Sequence, residues 1–152
     1  LGIPQAQAKA YIDSYFEQYP GIRAYMDKAK AEAREHGCVR TLWGRRCYVP
    51  EINAKIPSRR AYAERAAINA PVQGTAADIM KRAMVRVWRG LGRELPEARL
   101  LLQVHDELVL EVPEAQVTAV TELLRPAMEH AADFSVALEI EVGSGATWDA
   151  AH

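Results

Sequence analysis

Apolar residues recur at helical spacing through the first part of the chain. Between Pro4 and Gln18 they return every three or four positions, which predicts an amphipathic helix with Pro4 in its first turn. A second helix is predicted from about Ile22 to His36, with Gly37 as its C-terminal stop. The following sequence, "CVRTLWGRRCYVP", predicts two short strands around a turn at Trp43-Gly44.

The middle of the chain predicts two separate helices. The first is opened by Ser58 and ends before Pro71, because a proline disfavours helical geometry at the residue that precedes it. The second runs from about Thr75 to Leu91 and carries its apolar residues on one face.

The sequence "LLQVHDELVLEV" predicts a β-hairpin that has charged residues at its turn. The strands are Arg99–Val104 and Glu107–Val112, which leaves His105 and Asp106 at or beside the turn. Strict alternation would give the two strands one shared apolar face, made of Leu100, Leu102, Val104, Leu108, Leu110 and Val112.

The remaining sequence predicts a helix and one further strand. The helix runs from Pro113 to about Ala131, and the strand is the alternating segment Val136–Val142. Helices followed by a hairpin, a helix and a strand predict an α+β fold with a small antiparallel sheet.

Charge is distributed unevenly along the 152 residues, although the net charge is only −1. Residues 40–65 contain seven basic residues against two acidic ones, whereas residues 105–152 contain ten acidic residues and one arginine. This asymmetry favours a polyanion-binding middle segment, with solvated helix faces as the alternative. No apolar run approaches the roughly 20 residues that would span a bilayer, so no membrane partner is expected.

Two cysteines, Cys38 and Cys47, flank the first predicted turn. They are interpreted as reduced thiols of a cytosolic protein, although a bridge across the hairpin is the alternative.

Asp106 and Glu107 are candidates for metal binding at the second turn. Carboxylate oxygens are ligands that Mg²⁺ prefers, and a rigid hairpin would hold them in place. Acidic residues are also common in solvated turns, so the pattern by itself leaves both interpretations open.

Four segments together resemble the sequence motifs of family A DNA polymerases, the bacterial DNA polymerase I group. They are "TLWGRRCYVPEI", "AERAAINAPVQGTAADIMKRAMV", "LLQVHDELVLEV" and "LEIEVGSGATWDAAH". The first resembles T-L-x-G-R-R-x-Y-x-P-[DE]-I, and the second resembles E-R-x-x-x-N-x-P-x-Q-G-[ST]-A-A-D. Order and spacing agree along essentially the whole chain.

The resemblance implies the C-terminal part of a right-hand polymerase. Residues 1–57 would be the end of the fingers subdomain and its junction, and residues 58–152 the C-terminal part of the palm. The implied activity is DNA-directed nucleotidyl transfer from a dNTP to a primer 3′-hydroxyl, with two Mg²⁺ ions. The implied partners are primer-template DNA, dNTP and the remainder of the polymerase chain, in the cytoplasm of a bacterial or phage-infected cell.

The resemblance also implies roles for the three residues at the turn. Asp106 would bind metal, Glu107 would act beside it as a secondary catalytic carboxylate, and His105 would approach the primer strand near its 3′ end.

Arg65, Asn69 and Gln73 would, by the same resemblance, contact the minor-groove side of the primer-template duplex. Minor-groove acceptors occur on every base pair, so such donors can test base-pair geometry without reading sequence. From the residues alone, Asn69 and Gln73 could instead be helix caps beside Pro71. Arg45 and Arg46 would either meet backbone phosphate or hold the junction between fingers and palm.

The family's other metal-binding aspartate and its dNTP-gripping helix would lie before Leu1. We therefore expect the 152 residues by themselves to be inactive, as a fragment, a proteolytic piece or part of a hybrid enzyme. Two alternative functions are a non-catalytic nucleic-acid-binding module and a metal-dependent nuclease that uses Asp106 and Glu107.

Overall fold

The computed structural model describes residues 4–151, and within them it contains four α-helices and two short antiparallel hairpins. The elements in chain order are α1 (Gln5–Gln18), α2 (Pro20–His36), β1 (Cys38–Arg40), β2 (Arg46–Tyr48), α3 (Pro57–Glu94), β3 (Arg99–Val104), β4 (Glu107–Glu111) and α4 (Val117–Glu129). Single 3₁₀ turns lie at Glu114–Gln116 and Asp149–Ala151. The predicted α+β class is confirmed.

The chain divides between Thr75 and Ala76 into two compact units, and each unit has its own core. The buried core of the first unit consists of Ala33, Val39, Val49, Ile52, Ala63 and Ala67. The buried core of the second unit consists of Val87, Leu91, Ala98, Val120 and Leu124. No helix in the described part of the chain is both long enough and apolar enough to cross a membrane.

The first unit has the predicted order of two helices and a hairpin. Gly37 closes α2 with a positive φ of 68°, a conformation that glycine adopts without the steric cost of a Cβ. Cys38 pairs with Tyr48 and Val39 pairs with Cys47, so the two cysteines lie on opposite faces of the hairpin. Both thiols are free, as the preferred interpretation of the sequence expected.

The predicted helix boundary at Pro71 is wrong, because α3 continues through this residue. Proline lacks an N–H and its ring crowds the preceding turn, which weakens the local helical hydrogen bonds. The hydroxyl of Tyr25 on α2 donates to the carbonyl oxygen of Ile68 at 2.6 Å. Burial raises the pKa of Tyr25, so the hydroxyl remains protonated and available as a donor. This contact provides a hydrogen bond to the backbone of the turn that Pro71 weakens.

The β3–β4 hairpin has the predicted strands but contains a bulge that changes its faces. Leu100 pairs with Leu110, and the next pairing joins Leu102 to Val109, so Leu101 is an extra residue. Beyond Leu101 the alternation is therefore reversed. Leu102 shares a face with Val109 and is 44% exposed, so the predicted single apolar face is wrong on the turn side of the bulge.

The predicted strand Val136–Val142 is also wrong, since the described residues of this segment form no β-ladder. A strand requires a neighbouring backbone to hydrogen-bond with, however regular its alternation. Here Arg125 Nη1 donates to the carbonyl of Ile140 at 3.0 Å, and Val142 packs against the core of the second unit. Side-chain contacts thus hold this segment.

Candidate functional site

His105 and Asp106 form the two-residue turn of the β3–β4 hairpin in the second unit. The strand pair nearest to the turn is Val104 with Glu107, so Glu107 is the first residue of the returning strand. All three charged or ionisable residues, His105, Asp106 and Glu107, are exposed. The hairpin therefore presents two adjacent carboxylates and an imidazole to the surroundings.

Apolar packing supports this turn from below. Leu100, Leu108, Leu110 and Val112 pack against the buried core of the second unit. This packing explains why a chain places charged residues within such an apolar sequence. The strands are fixed by burial, while the turn extends beyond the core, so Asp106 keeps its hydration and still has a defined position.

The backbone at His105 adopts an unusual conformation. Its φ is 50°, and it is the only residue other than glycine with a positive φ among residues 4–151. A positive φ at the first turn residue alone is the φ pattern of a type II′ turn, in which glycine is preferred. Gln103 Nε2 donates to the carbonyl oxygen of His105 at 2.8 Å, which fixes the orientation of the peptide group between His105 and Asp106.

The donor set at the turn fits part of a magnesium site. Asp106 and Glu107 offer oxygen ligands of the kind that Mg²⁺ takes, on neighbouring residues. Among residues 4–151 there is no cluster of three or more His, Cys, Asp or Glu side chains that could hold a metal ion. The turn thus has the ligand chemistry that a contribution to a metal site needs.

In the first unit, Arg65, Asn69 and Gln73 are exposed on one face of α3. They are spaced four residues apart, so their side chains follow one another along the helix surface. Asn69 and Gln73 lie inside the continuous helix, so neither is a helix cap. The guanidinium of Arg65 lies 5.9 Å from the ring centre of Tyr62, an exposed aromatic residue one turn earlier.

The two arginines of the first hairpin have different surroundings. Arg45 Nη2 donates to the carbonyl oxygen of Gly74 in α3 at 2.7 Å. Arg46 lies on β2 opposite Arg40 and is exposed. Of the two alternatives for these residues, the geometry of Arg45 favours a role in holding the hairpin to α3.

Sequence reasoning missed two residues that shape these sites, Gln103 and Tyr25. Gln103 donates to the carbonyl of His105, and its polarity within the otherwise apolar residues 100–104 was the available signal. Tyr25 lies 43 residues before Ile68, and nothing in a single sequence indicates that the two would meet.

Comparison with known proteins places these features in a family. Residues 1–150 match the sequence profile of DNA polymerase family A. The chain is 55% identical over 152 residues to DNA polymerase I of Pseudomonas aeruginosa, and this match covers 100% of the chain and 17% of that protein. It is 52% identical over 148 residues to the thermostable DNA polymerase I of Thermus thermophilus, covering 97% of the chain and 18% of that protein. The chain thus spans less than a fifth of the length of these curated relatives.

A solved structure has the same backbone arrangement. It is the polymerase domain of Pol1 from M. smegmatis in complex with DNA primer-template and dNTP. The TM-score is 0.94 at 42% identity, over 99% of this chain and 27% of that chain. Profile, relatives and structure agree along nearly the whole sequence, and the chain belongs to DNA polymerase family A.

Proposed function

We propose that this chain is the C-terminal fingers and palm segment of a DNA-directed DNA polymerase, and that Asp106 is its catalytic metal ligand. The observation that carries the proposal is the position of Asp106, exposed at a tight turn whose strands pack on a buried core. In the complete enzyme a primer 3′-hydroxyl would attack the α-phosphate of a dNTP, and pyrophosphate would leave. Family membership supports this reaction.

Asp106 would hold Mg²⁺ together with ligands from the remainder of the polymerase chain. When bound, two such ions supply positive charge to the reacting phosphate and favour attack by the primer hydroxyl. Glu107 would contribute negative charge beside Asp106, and His105 would orient the primer end. The strain at His105 is consistent with this placement, because unusual backbone conformations cluster at functional sites.

The exposed face of α3 would contact the primer-template duplex. Arg65, Asn69 and Gln73 carry hydrogen-bond donors, and the minor groove presents acceptors at every base pair. Such contacts position the duplex and are indifferent to sequence, which a template-directed enzyme requires. Arg46, exposed on β2, is the phosphate contact that we propose in this unit.

We further propose that residues 1–57 are the end of the fingers and its junction and that residues 58–152 are palm. The working environment would be the cytoplasm, near the nucleoid. The 152 residues by themselves would be inactive, because the described part supplies too few metal ligands in one place. Template-dependent, Mg²⁺-dependent synthesis by the isolated chain would contradict this expectation.

A hybrid enzyme tests the proposed function. The 152 residues replace the matching segment of the Pseudomonas aeruginosa DNA polymerase I, to which they are 55% identical. We expect the hybrid to extend primers, and Asp106→Ala to lower its single-turnover rate by about 10³-fold or more, since charge stabilisation is removed. DNA affinity should change little, because Asp106 bears a negative charge and is not proposed to bind DNA.

Glu111→Ala is the matched control for Asp106→Ala. Glu111 is an exposed carboxylate on the same hairpin, at the end remote from the turn. Its removal changes the net charge equally and should leave the rate within about twofold, as for most surface substitutions. An Asp106→Ala rate within tenfold of the parent hybrid would refute the catalytic assignment and favour a non-catalytic DNA-binding module.

A further inference from the structure

The turn between β1 and β2 packs against α3 at Gly74, in the first unit. A Cβ added to Gly74 would lie 2.7 Å from Cγ2 of Thr41, 3.4 Å from Sγ of Cys47 and 3.5 Å from Nη2 of Arg45. The first of these distances is shorter than two carbon atoms tolerate. Glycine at this position therefore allows an approach that no other residue would permit without a shift.

Hydrogen bonds from the same turn reach two consecutive residues of α3. Arg45 Nη2 donates to the carbonyl of Gly74 at 2.7 Å, and the amide of Leu42 donates to Oγ1 of Thr75 at 3.0 Å. The hydroxyl of Thr41, a residue that is 5% exposed, accepts a hydrogen bond from the amide of Arg45 at 3.2 Å. The turn is thus ordered by Thr41 and joined to α3 by Leu42 and Arg45.

These contacts lie directly after Gln73 and shortly after Pro71. Proline removes a backbone hydrogen bond from this part of α3, so the helix here relies on external contacts. Tyr25 supplies one at Ile68, before Pro71, and the β1–β2 turn supplies others at Gly74 and Thr75. Gln73 lies between these two points of attachment, with its side chain exposed.

We propose that Arg45 is a positioning residue for Gln73. Its guanidinium holds the carbonyl that follows Gln73 and so fixes where the Gln73 amide meets the minor groove at the primer end. The inference rests on the proposed function, since it takes Gln73 as a DNA contact. It assigns adjacent arginines to different tasks: Arg45 orders the helix, and Arg46 meets phosphate.

The test uses the active hybrid polymerase and measures DNA affinity against salt concentration, together with extension of matched and mismatched primer ends. For Arg45→Ala we expect extension of matched ends to fall about 10- to 100-fold, the range that misplacement of a positioned group can cause. The ratio of mismatched to matched extension should shift in the same direction as in Gln73→Ala. The slope of log affinity against log salt should remain unchanged. Arg46→Ala is the control, and its slope should become shallower by about one, as for a lost phosphate contact.

A double-mutant cycle separates positioning from independent contact. If Arg45 acts through Gln73, Arg45→Ala combined with Gln73→Ala should be no worse than the more severe single variant. The fold-reductions in extension caused by Arg46→Ala and by Gln73→Ala should instead multiply in the double variant, because these two residues act independently. Gly74→Ala disturbs the same contact from the helix side without altering any charge, so it should reproduce the altered mismatch ratio of Arg45→Ala.

Several outcomes would overturn the inference. A shallower salt slope for Arg45→Ala, or multiplicative effects with Gln73→Ala, would make Arg45 a phosphate contact. A Gly74→Ala variant that is folded by thermal melting and has an unchanged mismatch ratio would also refute the positioning role. Failure of the proposed function gives a different result, because the parent hybrid would then not extend primers or would tolerate Asp106→Ala.

Discussion

The two hairpins of this chain are built alike and used differently. Both are short antiparallel pairs with polar or charged residues near their turns. The β1–β2 turn is fastened to α3 through Thr41, Leu42 and Arg45. The β3–β4 turn presents His105 and Asp106 outward, and only its strands are packed on a core.

The difference shows how a protein can obtain order at a turn in two ways. The first hairpin obtains it from close packing, in which glycine on α3 makes room for the turn. The second cannot bury its charged turn without a large desolvation cost. Its order comes from the strands, from the bulge at Leu101 and from the Gln103 hydrogen bond to His105. Substitutions at the packed contact of the β1–β2 turn with α3 should therefore act through local stability, whereas substitutions in the β3–β4 turn should act on activity directly.

Deletion of Leu101 tests how the second hairpin orients its turn. Leu101 belongs to no cross-strand pair, so all the pairs from Arg99 to Val104 can still form without it and the sheet should fold. A bulge adds local twist and re-aims the residues beyond it, and its loss should therefore rotate the turn that carries Asp106. We expect primer extension by the hybrid polymerase to fall about 100-fold, the effect of a displacement near 1 Å.

Hydrogen exchange provides the control for this deletion. The amides of β3 and β4 should keep most of their protection, since the ladder is retained. Deletion of Val136, an exposed residue outside any strand, removes one residue elsewhere in the same unit and should leave extension unchanged. Normal extension after loss of Leu101 would show that the bulge does not orient the turn.

Gly74→Ala tests the first hairpin and should have its main effect on local stability. Overpacking of a close contact costs about 1–3 kcal/mol, which outweighs the roughly 1 kcal/mol that alanine gains over glycine in a helix. The amide of Leu42, which donates to Thr75, should exchange about tenfold faster or more, because opening of the contact becomes easier.

Thr41→Ser supplies the matched rescue. Serine removes the methyl group that the new Cβ would meet at 2.7 Å and keeps the hydroxyl that accepts from the amide of Arg45. The double variant should regain most of the protection of Leu42. If Thr41→Ser does not rescue Gly74→Ala, the close contact is not what the glycine provides.

The local elements of both hairpins could be predicted from the sequence, because spacing and turn residues report on local geometry. The strand Arg99–Val104 and the end of α2 at Gly37 are examples of local elements that were predicted correctly. The continuity of α3 through Pro71 could not be predicted, because the supporting hydrogen bond comes from Tyr25, which is distant in sequence. The bulge at Leu101 could not be predicted either, since it is a property of the pairing between two strands.

The candidate site likewise has a part that could be predicted from the sequence and a part that could not. Asp106 and Glu107 at a turn, and the four-residue spacing of Arg65 and Asn69, can be read from the sequence. The two tasks of Arg45 and Arg46 cannot, since identical neighbouring residues differ only in what the fold places near them.

His105→Gly is expected to have the smallest effect on stability. It should also separate stability from activity most clearly. A residue with a Cβ in the left-handed region costs about 1–2 kcal/mol, and glycine relieves this cost while losing about 0.5–1 kcal/mol of its own to ordering. The balance is close to zero or slightly stabilising, so the β3–β4 amides should exchange at the same rate or more slowly. Extension should nevertheless fall, because the imidazole proposed to orient the primer is gone.

His105→Asn distinguishes the side chain from the backbone at this position. Asparagine tolerates a positive φ better than other residues with a Cβ, so it keeps the turn while replacing the imidazole. If both variants preserve the hairpin and both lower extension, the strained conformation is retained for the sake of the histidine side chain. If glycine instead unfolds the hairpin, His105 is needed for the fold, and the contrast between a packed turn and a presented turn fails at this residue.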